Sequence, residues 1–236
     1  MNLRKHCPTL ATLGNAAAGV AACGFAVSGD PVLAALMILA AVLMDALDGA
    51  LARSFGATSE FGAELDSLAD VISFGVAPAV VVGSLIPEGF GHIGWAMAVG
   101  YVLCAVWRLG RFNAERKGEG GEHMEFAGLP STGSGAAAAT AVLLHVRLSG
   151  VFQAHMLLPC VLVLLGALMV SRIPYRHVGV ILSRVNPAVA VVTAALFVAG
   201  SVYWEYEYLF AALMWTYALS GPLAVAREKI RAVRHA

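Results

Sequence analysis

Long apolar runs recur along the chain at roughly 8–28, 31–53, 61–86, 92–113, 132–149, 153–171, 187–203 and 206–226, separated by short polar links. About 20 apolar residues let a helix cross the hydrocarbon layer of a bilayer. In lipid each such segment must satisfy its own backbone hydrogen bonds, which an α-helix does. Composition agrees: 59% of the 236 residues are hydrophobic and 13% charged, with mean hydropathy +0.78, where soluble domains carry about 25% charge. The expectation is all-α: a polytopic membrane helix bundle of about eight transmembrane helices. No internal repeat or linker divides it, so residues 1–236 read as one domain. More membrane follows the basic N-terminus, so 8–28 reads as a retained first helix rather than a cleaved signal.

Local signals place some ends. Pro31 and Pro187 stand where proline tolerates a helix start, with Asn186 a natural N-cap for the second. Pro78 and Pro222 fall inside apolar runs and are expected to kink them. The run Thr132-Gly-Ser-Gly-Ala-Ala-Ala-Ala-Thr140 offers small side chains for close helix packing. Cys7, Cys23, Cys104 and Cys160 are far apart and form no C-x-x-C pair; three lie in apolar runs and read as small buried hydrophobes rather than a metal or redox site.

Net charge is zero, so nothing suggests a nucleic-acid partner. The charges are nevertheless unevenly placed. Fourteen Lys and Arg residues fall in links on one side, and only Arg147 falls on the other, beside Asp30, Glu88, Glu205 and Glu207. The positive-inside rule makes the basic side, with both termini, cytoplasmic. The expected location is the cytoplasmic (inner) membrane, with the tail Arg227–Arg234 resting on anionic headgroups.

Four carboxylates break the apolar pattern. Asp45 and Asp48 lie near the cytoplasmic end of the second run, and Asp66 and Asp70 open the third. Carboxylates at membrane depth are costly and mark functional sites. The i,i+3 and i,i+4 spacings put each pair within about 60° and 40° on one helix face. The link 54–60 turns the chain back, so the pairs can face one cleft, a cytoplasm-facing site built from helices around 31–86. Gly49 and Ala52 share the first face and leave room for a bulky ligand; Gly62 extends the second. Four facing acids need protonation or divalent metal, and an all-oxygen ligand set suits Mg²⁺, Mn²⁺ or Ca²⁺. A carboxylate-lined cation or proton transporter is the alternative from another class. A polar pair that only fixes helix registry would need one polar group, not four.

The run Asp45-x2-Asp48-Gly49-x2-Ala52-Arg53-x8-Gly62-x3-Asp66-x3-Asp70 resembles the signature of the CDP-alcohol phosphatidyltransferases at all eight fixed positions. Further residues look like the integral-membrane phosphatidylserine synthases within that family. They are Thr12-Leu-Gly-Asn15 with Gly19, Ser73-Phe-Gly-Val-Ala-Pro78, Arg108-Leu-Gly-Arg111-Phe-Asn113, Gly128-Leu-Pro130 and Met169-Val-Ser-Arg172. Asp66 is followed by Ser67 rather than the proline usual in phosphatidylglycerophosphate synthases, which favours the serine or inositol branches.

The resemblance implies transfer of a phosphatidyl group from CDP-diacylglycerol to L-serine with release of CMP, by direct attack. Inositol phosphate or glycerol phosphate is the alternative acceptor. It implies that Asp45, Asp48, Asp66 and Asp70 bind two divalent ions and that Asp70 is also the general base. Gly49, Ala52, Arg53, Gly62 and Asn15 would contact the CDP-lipid, Asn15 having the acceptor as a second option. The serine carboxylate needs cations, for which Arg108, Arg111 and Arg172 at cytoplasmic helix ends are candidates. Membrane lipids and a second copy in a homodimer are the further expected partners.

Overall fold

Helix α1 (Leu3–Val27) stops at a glycine. Gly29 takes φ +83°, its N–H reaches Ala26 O at 3.1 Å, and Asp30 N–H reaches Phe25 O at 2.9 Å. This pairing is a Schellman stop, and the left-handed position it requires favours glycine. Asp30 then starts α2 (Pro31–Phe55) by accepting Leu33 N–H on Oδ1 at 2.9 Å, an N-cap with proline in the first helical position. The computed structural model describes residues 3–55, 60–118, 126–149, 156–175 and 206–234. The run at 187–203 with its Asn186–Pro187 start, the link at 56–59 and the polar stretch 119–125 lie outside the described residues.

The third crossing is made of two helices in series. Helix α3 (Glu60–Asp70) passes into a π-helical stretch, Val71–Val76, and then into α4 (Ala77–Ser84). Ala77 N–H reaches back five residues to Ile72 O. Pro78 therefore stands in the first turn of a new segment, where proline is tolerated, rather than in the middle of a regular helix. Helix α5 (Gly91–Gly118) follows a short 3₁₀ turn at Glu88–Phe90. Next come β1 (Phe126–Ala127), α6 (Ser131–Leu148), α7 (Leu157–Val170), β2 (Pro174–Tyr175) and α8 (Tyr206–Arg234). The strands form one short antiparallel pair, Phe126 with Tyr175 and Ala127 with Pro174.

The chain is thus an all-α bundle of apolar helices, a multi-pass membrane architecture. Five described helical segments are long and apolar enough to cross a bilayer: 9–27, 31–49, 60–84, 91–115 and 207–227. Leu157–Val170 is a shorter apolar helix. The expected count of eight is not established by these segments. Helix α6 matches the run at 132–149 yet is not among the five. Its small-residue stretch lies at the centre, with Ser134, Ala136, Ala137, Ala139 and Thr140 all fully buried. A helix facing protein on all sides need not be strongly apolar, and small residues let its neighbours approach. A Cβ on Gly135 would come within 2.8 Å of the Phe74 ring, and one on Gly19 of α1 within 2.4 Å of Ser73 Oγ. Leu10, Leu43, Leu103 and Trp107 are exposed, as expected of a bundle whose outer surface meets lipid.

Pro78 and Pro222 are each answered by a tyrosine. A regular α-helix would give Phe74 O the N–H of residue 78, which proline lacks. Tyr101 of α5 donates its hydroxyl to Phe74 O at 2.8 Å instead, and lies 3.0 Å from Ser134 Oγ. Likewise Pro222 in α8 gives no N–H to Ala218 O, and the Tyr175 hydroxyl donates to it at 2.8 Å. A buried carbonyl deprived of its donor costs about 1–3 kcal/mol. Tyr101→Phe is therefore expected to lower the apparent Tm of the detergent-solubilised protein. An unchanged Tm would show that Phe74 O is satisfied without the tyrosine.

Candidate active site

The four aspartates of the signature divide into three and one. Asp45, Asp48 and Asp66 each offer a carboxylate oxygen, and the three oxygens lie within 4.8 Å of one another. Asp48 is buried, and Asp45 and Asp66 are half-buried. Asp70, the last residue of α3, is buried beside them but is not one of that set. The antiparallel return between α2 and α3 thus brings both halves of the signature together, as the spacing predicts. At 4.8 Å and an effective dielectric of about 20, two carboxylate charges repel by about 3.5 kcal/mol. Such a triad calls for a compensating cation, and its donors are all oxygen, the set hard divalent ions prefer. The residues present fit a divalent metal.

The carboxylates are oriented by hydroxyls and an amide from two other helices. From α1, Thr12 Oγ1 donates to Asp48 Oδ2 at 2.9 Å and Asn15 Nδ2 to Asp70 Oδ1 at 3.2 Å. From the first turn of α6, Ser131 Oγ donates to Asp70 Oδ2 at 3.2 Å and Thr132 Oγ1 to Asp45 Oδ2 at 3.1 Å. Arg108 of α5 donates through Nη1 to Ser131 Oγ at 3.1 Å. Such outer hydrogen bonds fix the direction of the ligand lone pairs. The α6 turn is itself held in place by the loop before it. Gly128 N–H bonds Ile173 O at 2.8 Å and Leu129 N–H bonds Leu168 O at 3.0 Å. Gly128 has φ +91°, and a Cβ there would lie 2.3 Å from Met169 O, so only glycine fits.

Ser131 and Thr132 were not among the residues singled out for chemistry, Thr132 having counted only as a small packing residue. Their signal was local: two hydroxyls immediately after Pro130, at the start of an otherwise apolar helix. Asn15 does form an interhelical hydrogen bond, and its partner is Asp70. Gly49 and Gly62 are half-buried on the helices that carry the aspartates. Ala52 and Arg53 belong to the last turns of α2.

The three arginines do not converge. Arg108 is buried and linked through Ser131 to Asp70. Arg111 donates to Val170 O at 3.2 Å and lies 3.8 Å from Glu115. Arg172 is exposed. A second contact joins two motifs that are far apart in sequence: Asn113 Nδ2 donates to Ser67 Oγ at 2.9 Å. A proline after Asp66 could not make it.

An all-α membrane bundle with an oxygen-lined, metal-competent carboxylate centre inside it defines an integral-membrane protein built to handle a polar, charged group at membrane depth. The family model for CDP-alcohol phosphatidyltransferase matches residues 5–165, and the chain belongs to that family. It is 37% identical over 175 residues to a CDP-diacylglycerol–serine O-phosphatidyltransferase of Helicobacter pylori, covering 72% of this chain and 71% of the other. A protein of the same name from Mycobacterium leprae is 31% identical over 229 residues, 94% of this chain and 75% of its own. An archaetidylserine synthase of Methanothermobacter thermautotrophicus is 34% identical over 173 residues, 72% and 70% of the two chains. Family membership sets the transporter reading aside.

Proposed function

We propose that this enzyme transfers the phosphatidyl group of CDP-diacylglycerol to the hydroxyl of L-serine and releases CMP. The observation that carries this reading is the carboxylate centre: the family signature folds into three aspartates able to share a cation, with a fourth held beside them by Asn15 and Ser131. The names of the relatives point to serine as acceptor, and the Ser67–Asn113 contact supports that branch.

Asp45, Asp48 and Asp66 would hold a divalent metal, Mg²⁺ or Mn²⁺ with Ca²⁺ a third option, and Asp70 could complete a second ion's shell. Bound there, the metal supplies positive charge against the pyrophosphate and the departing phosphate. Asp70 takes the proton of the serine hydroxyl as the serine oxygen bonds to the lipid phosphorus. The bond from that phosphorus to the oxygen bridging it to CMP breaks, and CMP carries the pair away. Gly49, Ala52, Arg53 and Gly62 shape the nucleotide end. Arg108, Arg111 and Arg172 are the proposed cations for the serine carboxylate. The acyl chains stay in lipid. Residues 1–236 act as one domain, and a homodimer is the proposed assembly.

Purified protein with CDP-diacylglycerol is expected to release CMP on addition of L-serine and not of inositol phosphate or glycerol phosphate. Release with one of those instead would replace the acceptor and leave the reaction class standing.

The proposed location is the cytoplasmic membrane with both termini inside, supported by the fourteen-to-one split of basic residues. In a cysteine-free background, Leu3→Cys and His235→Cys should resist an impermeant thiol reagent in intact cells, and Gly89→Cys should react. The reverse pattern would put the carboxylate centre on the side away from cytoplasmic CDP-lipid.

A further inference from the structure

Two hydrogen-bonded rings start from the two oxygens of Asp70 and close on the helix that follows it. In the first, Asn15 of α1 is held at both ends. Its amide donates to Asp70 Oδ1 at 3.2 Å, and its backbone oxygen accepts the Ser73 hydroxyl at 2.8 Å. In the second, Ser131 donates to Asp70 Oδ2 at 3.2 Å. One turn along α6, Ser134 Oγ lies 3.0 Å from the Tyr101 hydroxyl, which donates to Phe74 O at 2.8 Å. Ser73 and Phe74 belong to the π-helical stretch Val71–Val76, which begins at the residue after Asp70. Asn15, Ser73, Phe74, Tyr101 and Ser134 are all buried. Glycines let the backbones close on this stretch: Gly19 of α1 faces Ser73, and Gly135 of α6 faces Phe74, each too near for a Cβ.

The π-helical stretch sets where the acids point. A π turn takes in one residue more than an α turn, so α3 is rotated by about 100° against α4 relative to an unbroken α-helix. Helix α4 is fixed, with Ala77, Ala79, Val81 and Val82 buried in the core. Return to the α register would therefore turn α3, and carry Asp66 away from Asp45 and Asp48, and Asp70 away from Asn15 and Ser131. Nothing in the reaction needs Tyr101 or Ser73 to meet a substrate. Both instead grip the one segment whose register aims the acids.

We propose that Tyr101 and Ser73 are positioning residues for the reaction: they hold the π register of Val71–Val76 and thereby keep Asp70 and Asp66 turned into the carboxylate centre. The proposal rests on the reading of Asp70 as the base and of Asp66 as a metal ligand given above.

Pro78→Ala supplies the test, because it restores the N–H that a regular helix would offer Phe74 O. Tyr101→Phe alone should lower kcat about tenfold, as for other residues that orient a functional group, with the KM for CDP-diacylglycerol within about twofold of wild type. Adding Pro78→Ala should return the apparent Tm towards wild type, since the carbonyl regains a donor. It should nevertheless leave kcat at least about a hundredfold below wild type, since that donor belongs to the α register and turns the base away. Ser73→Ala, which removes the donor to Asn15 O, should also lower kcat about tenfold. Asp66 turns with Asp70, so Mn²⁺ binding without CDP-lipid, followed by electron paramagnetic resonance, should be at least about tenfold weaker in the double variant. A tyrosine that only stabilises the fold gives another pattern: Tm, turnover and Mn²⁺ affinity all recover together in the double variant. That result overturns the proposal. If the tyrosine variants do not fold, Ser73→Ala decides alone, and a kcat within about twofold of wild type overturns it. Failure of the wild type to release CMP with serine would fell the reaction reading instead, and Mn²⁺ affinity would still judge the register.

Discussion

Chelation by EDTA is expected to abolish CMP release, and Mg²⁺ or Mn²⁺ to restore it. Asp45→Asn, Asp48→Asn and Asp66→Asn should each lower turnover at least about a hundredfold, since each removes one charge from a centre whose cation stabilises several kcal/mol of developing negative charge. Stability should move the other way. Three carboxylate oxygens within 4.8 Å repel one another in the metal-free protein, so Asp45→Asn or Asp66→Asn should leave the EDTA-treated protein as stable as wild type or more so. Metal should then raise the apparent Tm of wild type, by about 2.7 kcal/mol of stability at a concentration 100 times Kd, and that of the variants much less. This opposition separates loss of a ligand from loss of the fold. Full activity in a chelated, metal-free sample would sink the mechanism. Thr12 donates to Asp48 Oδ2 and Thr132 to Asp45 Oδ2. An amide oxygen can still accept either bond, so Asp48→Asn and Asp45→Asn should both keep their outer hydrogen bond.

The bundle and its centre were legible because their physics is local. Apolar length dictates helices, and i,i+3 and i,i+4 spacings dictate which aspartates share a face. Pro31 marked a helix start for the same reason, and Asp30 and Gly29 complete the turn there. What was not legible depends on contacts between distant parts of the chain. Nothing around Val71–Val76 announces a π-helical stretch; it follows from Ser73 bonding Asn15 O at 2.8 Å, Gly19 and Gly135 closing on Ser73 and Phe74, and Tyr101 replacing the donor Pro78 lacks. At Pro78 and Pro222 the sequence shows the missing N–H but not the tyrosine, 23 or 47 positions away, that answers the freed carbonyl. Helix α6 illustrates the same limit. Its small residues suggested packing, yet its first turn also supplies two of the hydroxyls that orient the acids. The three arginines looked equivalent as basic residues at helix ends, and only their neighbours distinguish them.

Asp70→Asn is expected to lower kcat at least about a hundredfold, with the KM for CDP-diacylglycerol changed much less. A neutral serine hydroxyl is a poor nucleophile, and a positioned base contributes about 10²–10⁴-fold. Asp70 suits that role by position. It stands outside the trio whose oxygens share 4.8 Å, and its two oxygens are each held by a neutral donor, Asn15 Nδ2 and Ser131 Oγ. Those bonds aim the carboxylate and leave each oxygen a further lone pair for an incoming hydroxyl. Asparagine keeps the size and can turn its carbonyl towards one donor, so the site should stay folded while losing its proton acceptor. Were Asp70 only a metal ligand, the same substitution would weaken Mg²⁺ or Mn²⁺ affinity, and excess metal would restore turnover. Titrating metal against turnover for this variant separates the two. A low plateau that no metal concentration lifts assigns the proton to Asp70, and recovery to near wild-type turnover removes it from that role.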